Sequence, residues 1–379
     1  MGLLAAGPLV TNCGHSGGRR RASNIANLGP LGAADENGLR LPAGFRSRIV
    51  ARSTRLPLPT SAYPWHASPD GGAVFPTSDG GWVYVSNAEV RGDGGAGALR
   101  FAGDATLVDA YPVLRGTSKN CAGGPTPWGT WLSCEETDTG RVHECDPLGR
   151  IPAVVRPSLG VFKHEAAAVD PQTHAIYMTE DQPDGNFYRF VPQALRSDGR
   201  SDLTNGRLEV AQVLEDLVGP VAWHPLPDAS ALRRETRHQV DAATAFNGGE
   251  GIFASEDVVH FATKGDDRVW KYDLRAQRLT IAYDAAQYAN PTLKGVDNVV
   301  TSDGGDVLVA EDKGNLEIVA LTPGGAVLPV VQIVGHDDSE VTGPAFDPSG
   351  SRLYFSSQKG AAGSADDGTT FEVTGPFHI

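Results

Sequence analysis

The sequence predicts an all-β protein, a six-bladed β-propeller with a small helical insertion, and three observations predict it. A short unit recurs in which a polar turn precedes an apolar strand that ends in a polar or acidic residue. The spacing of the units stays in the forties of residues, which is the signature of propeller blades. Glycine (46) and proline (26) are plentiful beside an ordinary 40% hydrophobic content, the composition of a folded chain with many tight turns.

The units run in order as SDGGWVYVSNAE (78–89), TPWGTWLSCEE (126–136) and DPQTHAIYMTED (170–181), then SEDVVHFATK (255–264), SDGGDVLVAEDK (302–313) and DPSGSRLYFSSQ (347–358). Strand starts Trp82, Thr130 and Ala175 lie 48 and 45 residues apart, and Val258, Asp306 and Arg352 lie 48 and 46 apart. The middle gap of 83 residues holds one unit plus an insertion. Short apolar runs before several units (AAAVD, GIFAS, NVVTS, GPAFD) supply a neighbouring antiparallel strand. A pair of β-sandwiches is the rival all-β arrangement, but sandwiches seldom keep so constant a period. Within the insertion, about 190–245, LEVAQVLEDLVG and DASALRRETRHQ have helix-compatible spacing and predict a lid or side loop.

A single domain is expected over 31–379. Residues 1–30 are expected to be a disordered tail or a degenerate export signal. The run MGLLAAGPLVTN has no basic start, is too short to span a bilayer, and precedes rather than follows the basic GRRRAS at 18–23. An extracytoplasmic location, periplasmic or secreted, is the expectation, with no stable membrane insertion and a monomeric chain. The net charge of −14 argues against nucleic acid, whose phosphates demand clustered Lys and Arg. Four cysteines, at 13, 121, 134 and 145, are too few for a disulfide scaffold. Cys134 and Cys145 are the candidate pair for one bridge in an oxidising compartment.

The chemistry is expected where loops at one mouth of the ring bring side chains from every blade together. The candidates there are Asn87 and Glu89, Glu135 and Glu136, His164 and Glu165, Glu180 and Asp181. Glu250, Asp297 and Asn298, Glu311 and Asp312, and Glu340 complete the set. A strand-end carboxylate more often caps a turn or faces water, and a lone thiol is most often inert packing. Glu165, Glu250 and Asp297 are harder to dismiss, because each leads directly into a buried apolar strand, which is costly unless the acid is paired or binds a cation. Cys121 is expected in a Gly-rich loop rather than a core strand. Carboxylates with one thiolate and few histidines suit iron or calcium better than a structural zinc site.

The segments NCAGGPTPWGTWLSCEE (120–136), FKHEAAAVDP (162–171), TEDQPDGNFYRFVP (179–192), EGIF (250–253) and GVDNVV (295–300) resemble the PhoX-type alkaline phosphatases. More weakly, the resemblance extends from LPAGF (41–45) to the C-terminus. It implies a six-bladed propeller with Fe3+ and Ca2+ at one mouth and a bridging oxygen taking part in hydrolysis of a small phosphoester. Cys121, Glu165 and Glu250 would be central to catalysis, with Cys121 the iron-ligating thiolate. Glu135, Glu136, Asp181, Asp297 and Glu340 would bind iron or calcium, and His164 and Asn298 would support the ligands from behind. The family pattern places an arginine shortly before the glutamate matched by Glu250, where this chain has FNGG (246–249). Lys119, Lys163, Arg189 and Lys294 are the candidates to replace it. Two other readings remain: a calcium-dependent propeller lactonase or phosphotriesterase, and a non-catalytic propeller.

Overall fold

The computed structural model describes residues 21–379. The chain is all-β and propeller-like, with helix limited to five 3-10 turns of three residues each among the described residues. Five sheets follow one another. The first orders its strands Pro69–Pro76, Trp82–Ala88, Gly94–Phe101 and Leu107–Thr117, and the second Asn120–Pro125, Trp131–Glu135, Val142–Cys145 and Val154–Val155. A ten-stranded sheet begins at His164–Val169, runs outward, and returns through Arg278–Asp284 to Gly249–Ser255. The next starts at Val296–Thr301 and the last at Val341–Phe346.

The first strands make a closed cycle. Pro69–Pro76 touches Asn120–Pro125, then come His164–Val169, Gly249–Ser255, Val296–Thr301 and Val341–Phe346, which returns to Pro69–Pro76. Closure is completed by the ends of the chain. Arg46–Arg52 pairs antiparallel with Thr369–Thr374, so the last sheet takes its outer strand from near the N-terminus. Such pairing removes an exposed edge that would otherwise template association.

Each sheet packs apolar side chains against the next, so strands such as Trp82–Ala88 are buried along their whole length. The joints are also polar: Trp82 Nε1 donates to Tyr354 Oη at 3.1 Å and Tyr84 Oη to the Gly343 carbonyl at 3.0 Å, tying the first sheet to the last. Near the axis the backbones come closest. A Cβ on Gly251 would lie 2.5 Å from Asn298 Cα, and one on Gly71 2.5 Å from Ala122 Cα, so only glycine fits there.

Three expectations are corrected or refined. The helical reading of 190–245 fails: Gly206–Val213 and Gly219–Pro225 are strands, with only a 3-10 turn at Thr236–His238. Leu208 and Val210 face one core, while Ala211 and Val213 face another. A strand buried on both faces loses its alternation and imitates helical spacing. Cys134 and Cys145 are free thiols, since their cross-strand partners are Val142 and Trp131 respectively. Of the segment 1–30, residues 1–20 lie outside the described residues. Beyond them Ile25 is fully buried and Asn24 N donates to the Phe377 carbonyl, so folded structure begins before residue 31. Among the described residues no helix is long and apolar enough to cross a membrane.

The packing of the 60–66 loop onto the first sheet has a pH consequence. His66 sits between Tyr63 Oη at 3.1 Å and Ser86 Oγ at 3.4 Å, and burial pushes its pKa down to about 3. The unfolded chain binds that proton near the ordinary value of about 6.5. Stability from keeping His66 neutral is therefore complete above that value and is lost as pH falls toward 3. Thermal denaturation at pH 7 and pH 4.5 is expected to show a drop in Tm that His66→Gln reduces by a few degrees. An equal drop in both proteins would remove His66 as a cause.

Candidate metal centre

One irregularity of register builds the mouth. Pairing between first and second strands slips between Pro69 and Gly72, Asn120 and Gly123, His164 and Ala167, Gly249 and Ile252, Val296 and Val299, and Thr342 and Ala345. A bulge of this kind bends the strand and re-aims a side chain. In five of the six places its first residue carries chemistry: Asp70, Cys121, Glu165, Glu250 and Asp297. The same pairings place Ala88, Glu135, Glu180, Thr263, Glu311 and Ser357 opposite the residue near each slip. The residues that follow them (Glu89, Glu136, Asp181, Lys264, Asp312 and Gln358) form a second tier.

The two tiers meet. Ligand atoms of Asp70, Glu89 and Cys121 lie within 4.8 Å of one another, and so do those of Cys121, Glu136 and Glu165 and those of Glu165, Glu250 and Asp297. The three groups share Cys121 and Glu165. Glu165 is 1% exposed and its Oε1 has no hydrogen-bond partner. Burial pushes its carboxyl well above the ordinary range, and Glu136 and Asp297 push it further. Asp70, Glu250 and Asp297 are raised for the same reasons, burial first and neighbouring carboxylates next. The Cys121 thiol is raised by burial and by Asp70, whose Oδ2 it approaches at 3.5 Å.

Such a set is unfavourable by itself and suited to cations. A metal ion reverses the local logic, because it holds thiolate and carboxylates ionised and supplies the partner that Glu165 Oε1 lacks. The residues fit a metal cluster.

The other candidates are placed differently. Glu135 turns away from the mouth, accepting from the backbone N–H groups of Ser118 at 3.0 Å and Arg141 at 3.2 Å. Asp181 lies between Lys163 and Lys264, and Glu340 pairs with Lys359 at 2.8 Å on the rim. His164 is on the strand face opposite Glu165, bonded to the Gly160 carbonyl at 3.2 Å and stacked on Phe162. Asn298 is bonded to one of the converging carboxylates: its Nδ2 donates to Asp297 Oδ1 at 2.9 Å while its Oδ1 accepts from Gly343 N at 2.7 Å.

Sequence reasoning missed Asp70, Lys264 and Gln358. Asp70 leads into GGAVF as Glu250 leads into GIF, and aligning the apolar runs by their acids would have found it. Gln358 Nε2 donates to both Asp70 Oδ2 at 2.7 Å and Glu89 Oε2 at 2.9 Å. The 246–249 segment lies beside Lys264, whose backbone N donates to the Gly248 carbonyl. Lys119 and Lys163 also reach the mouth. Arg189 instead pairs with Glu209 and covers Trp223 on an outer strand, and Lys294 is exposed.

Comparison with known proteins adds to this geometry. The chain is similar over its length to the solved structure of PhoX from Pseudomonas fluorescens in complex with vanadate, a transition state analogue, at 16% identity, TM-score 0.74, covering 94% of this chain and 98% of that one. It is more distantly similar to a gluconolactonase from Xanthomonas campestris, at 13% identity, TM-score 0.52 and coverage of 92% and 98%. A protein of unknown function from Bacteroides thetaiotaomicron matches at 9% identity, TM-score 0.54 and coverage of 91% and 84%. At such identities the likeness is one of fold. No curated protein sequence matches the chain. The family model for alkaline phosphatase PhoX matches residues 74–151 and 138–270, and together these segments take in the second-tier acids Glu89, Glu136 and Asp181 together with Cys121, Glu165 and Glu250. A match across just over half of the chain reaches well beyond any single motif, and on it the chain belongs to the PhoX alkaline phosphatase family.

Proposed function

We infer that the mouth is the catalytic site of a metal-dependent phosphoric-ester hydrolase, the activity of the family to which the chain belongs. The observation that carries this reading is that Cys121 and Glu165 link three converging ligand groups into one chain of potential ligands. We further propose that Cys121, Glu136 and Glu165 hold iron as Fe3+, since a thiolate favours the softer ion. Glu165, Glu250 and Asp297 offer only oxygen, the ligand type that Ca2+ takes. Asp70 from the inner tier and Glu89, Asp181 and Glu340 from the rim would complete the coordination, and Asn298 would orient Asp297. Cations held there supply Lewis acidity toward a phosphoryl oxygen.

The chain's own residues do the rest. Below the ligands Gly71, Ala122, Ala166, Gly251 and Gly343 narrow the axis to a cavity of about 30 Å3, room for a single water. The ester therefore reaches the ligands only from the mouth. A monomeric state belongs to the same proposal. The closed cycle of first strands supports a count of six blades, with the ten-stranded sheet as two blades joined through Gly219–Pro225. An extracytoplasmic location belongs to the same proposal.

The purified chain, loaded with iron and calcium and assayed for metal content, is expected to release phosphate from 4-nitrophenyl phosphate. Protein with both metals bound and no turnover would overturn the reading. A calcium-only lactonase finds less support, because a thiol belongs to two of the three ligand groups.

A further inference from the structure

We propose that Lys119, Lys163 and Lys264 are the phosphoryl-binding residues of the mouth, an arc of three ammonium groups that receives the dianionic phosphate of a monoester; this rests on the hydrolase reading above. The three lysines alternate with acids around half of the opening. Lys119 Nζ lies 2.9 Å from Glu89 and 2.6 Å from Glu136, and Lys163 Nζ 2.8 Å from Glu136 and 2.6 Å from Asp181. Lys264 Nζ lies 3.0 Å from Asp181 and 2.5 Å from Glu250. An unbroken sequence of opposite charges thus joins four successive units of the ring.

Two features separate this arc from ordinary surface ion pairs. The lysine side chains keep 22, 24 and 39% of their exposure, while Glu136, Asp181 and Glu250 below them keep 9, 9 and 4%. An arriving anion meets the ammonium layer before the acids. Each ammonium has three N–H donors, and each of these three is in contact with two carboxylates, which leaves one donor apiece. Three donors match the three non-bridging oxygens over which a transferring phosphoryl group spreads its charge.

Lys264 is the sharpest case. It occupies the second-tier position that holds Glu89, Glu136, Asp181, Asp312 or Gln358 in the other units. A base there turns one cation-holding position into an anion-holding one, directly beside Glu250. The carboxylates also hold the arc in place: Glu250 and Asp181 flank Lys264, and Glu136 and Glu89 flank Lys119. When metal ions engage the same acids, the ammonium groups lose part of their hold and become freer to turn to the substrate.

The test uses metal-loaded protein with its metal content measured. Inorganic phosphate binding is followed by titration calorimetry, and kcat and KM by turnover of 4-nitrophenyl phosphate and of bis(4-nitrophenyl) phosphate. Lys264→Met, Lys163→Met and Lys119→Met are each expected to weaken phosphate binding at least about 10-fold. KM for the monoester should rise more than KM for the singly charged diester, and the matching Lys→Arg variants should recover most of the affinity. Unchanged phosphate affinity in Lys264→Met with metals retained would overturn the proposal. Loss of metal and affinity together, without recovery in Lys264→Arg, would overturn it too, because it would make the lysine a structural counter-ion. A wild-type protein that binds phosphate without turnover would instead sink the hydrolase reading and leave the arc standing.

Discussion

Glu165→Gln is expected to abolish hydrolysis and yet make the metal-free protein harder to unfold. Glu165 is buried, its Oε1 has no partner, and Glu136 and Asp297 repel its charge. Without metal, ionising it is pure cost, and an amide of the same shape removes that cost. The sign follows from the raised carboxyl: the native state holds the proton more tightly than the unfolded chain, so stability is full below the unfolded value of about 4.3 and falls as pH rises through the folded one. The advantage of Gln therefore grows with pH, reaching about 2 °C in Tm or more at pH 8. With metal the order reverses, because a ligand that binds only the native state stabilises it and the amide is a poor ligand for the shared position. The loss of kcat/KM should exceed the roughly 10–100-fold that outer partners of metal ligands cost. Melting curves with and without metal, beside elemental analysis, decide the matter. Curves that do not cross, or a Gln variant with full metal content, would remove Glu165 from the centre.

Cys121→Ser should separate the two kinds of ion. Cys121 belongs to the ligand groups it shares with Asp70 and Glu89 and with Glu136 and Glu165, but not to the group of Glu165, Glu250 and Asp297. Serine keeps the size and loses the soft donor, so iron content should drop while calcium content holds. Visible absorption from an iron–thiolate pair should vanish from the purified protein, and turnover should fall at least about 100-fold. A variant that keeps both colour and activity would show that the thiol is only packing, a role its half-buried setting beside Asp70 would otherwise suit.

The strands were legible because their spacing is local and repeats. Glu165, Glu250 and Asp297 were legible too, since an acid opening an apolar run conflicts with burial in any fold. Asp70 escaped because SPDGG reads as a turn, and only the slipped pairing between Pro69 and Gly72 makes it the counterpart of Cys121. Lys264 escaped because a lysine after a strand is ordinarily solvated; its meaning comes from the neighbours that ring closure gives it. Glu135 and His164 stand apart from the converging ligand atoms for the opposite reason. Each is adjacent in sequence to a converging residue, and in a strand adjacency sends the side chain to the other face. The strand at 206–213 was misread because two cores cover it, which no pattern along one strand reveals.

Pairing of Arg46–Arg52 with Thr369–Thr374 makes the order of events during synthesis matter. Asp70 is made early and Glu340 late, and the rim they share is finished only when the final strand leaves the ribosome and finds one laid down some three hundred residues before. Until then the growing chain carries a half-assembled row of acids, able to catch stray ions in the wrong register. Loading with metal should thus follow completion of the ring, and loss of the strand Thr369–Thr374 should leave a chain that accumulates without ever becoming a holoenzyme.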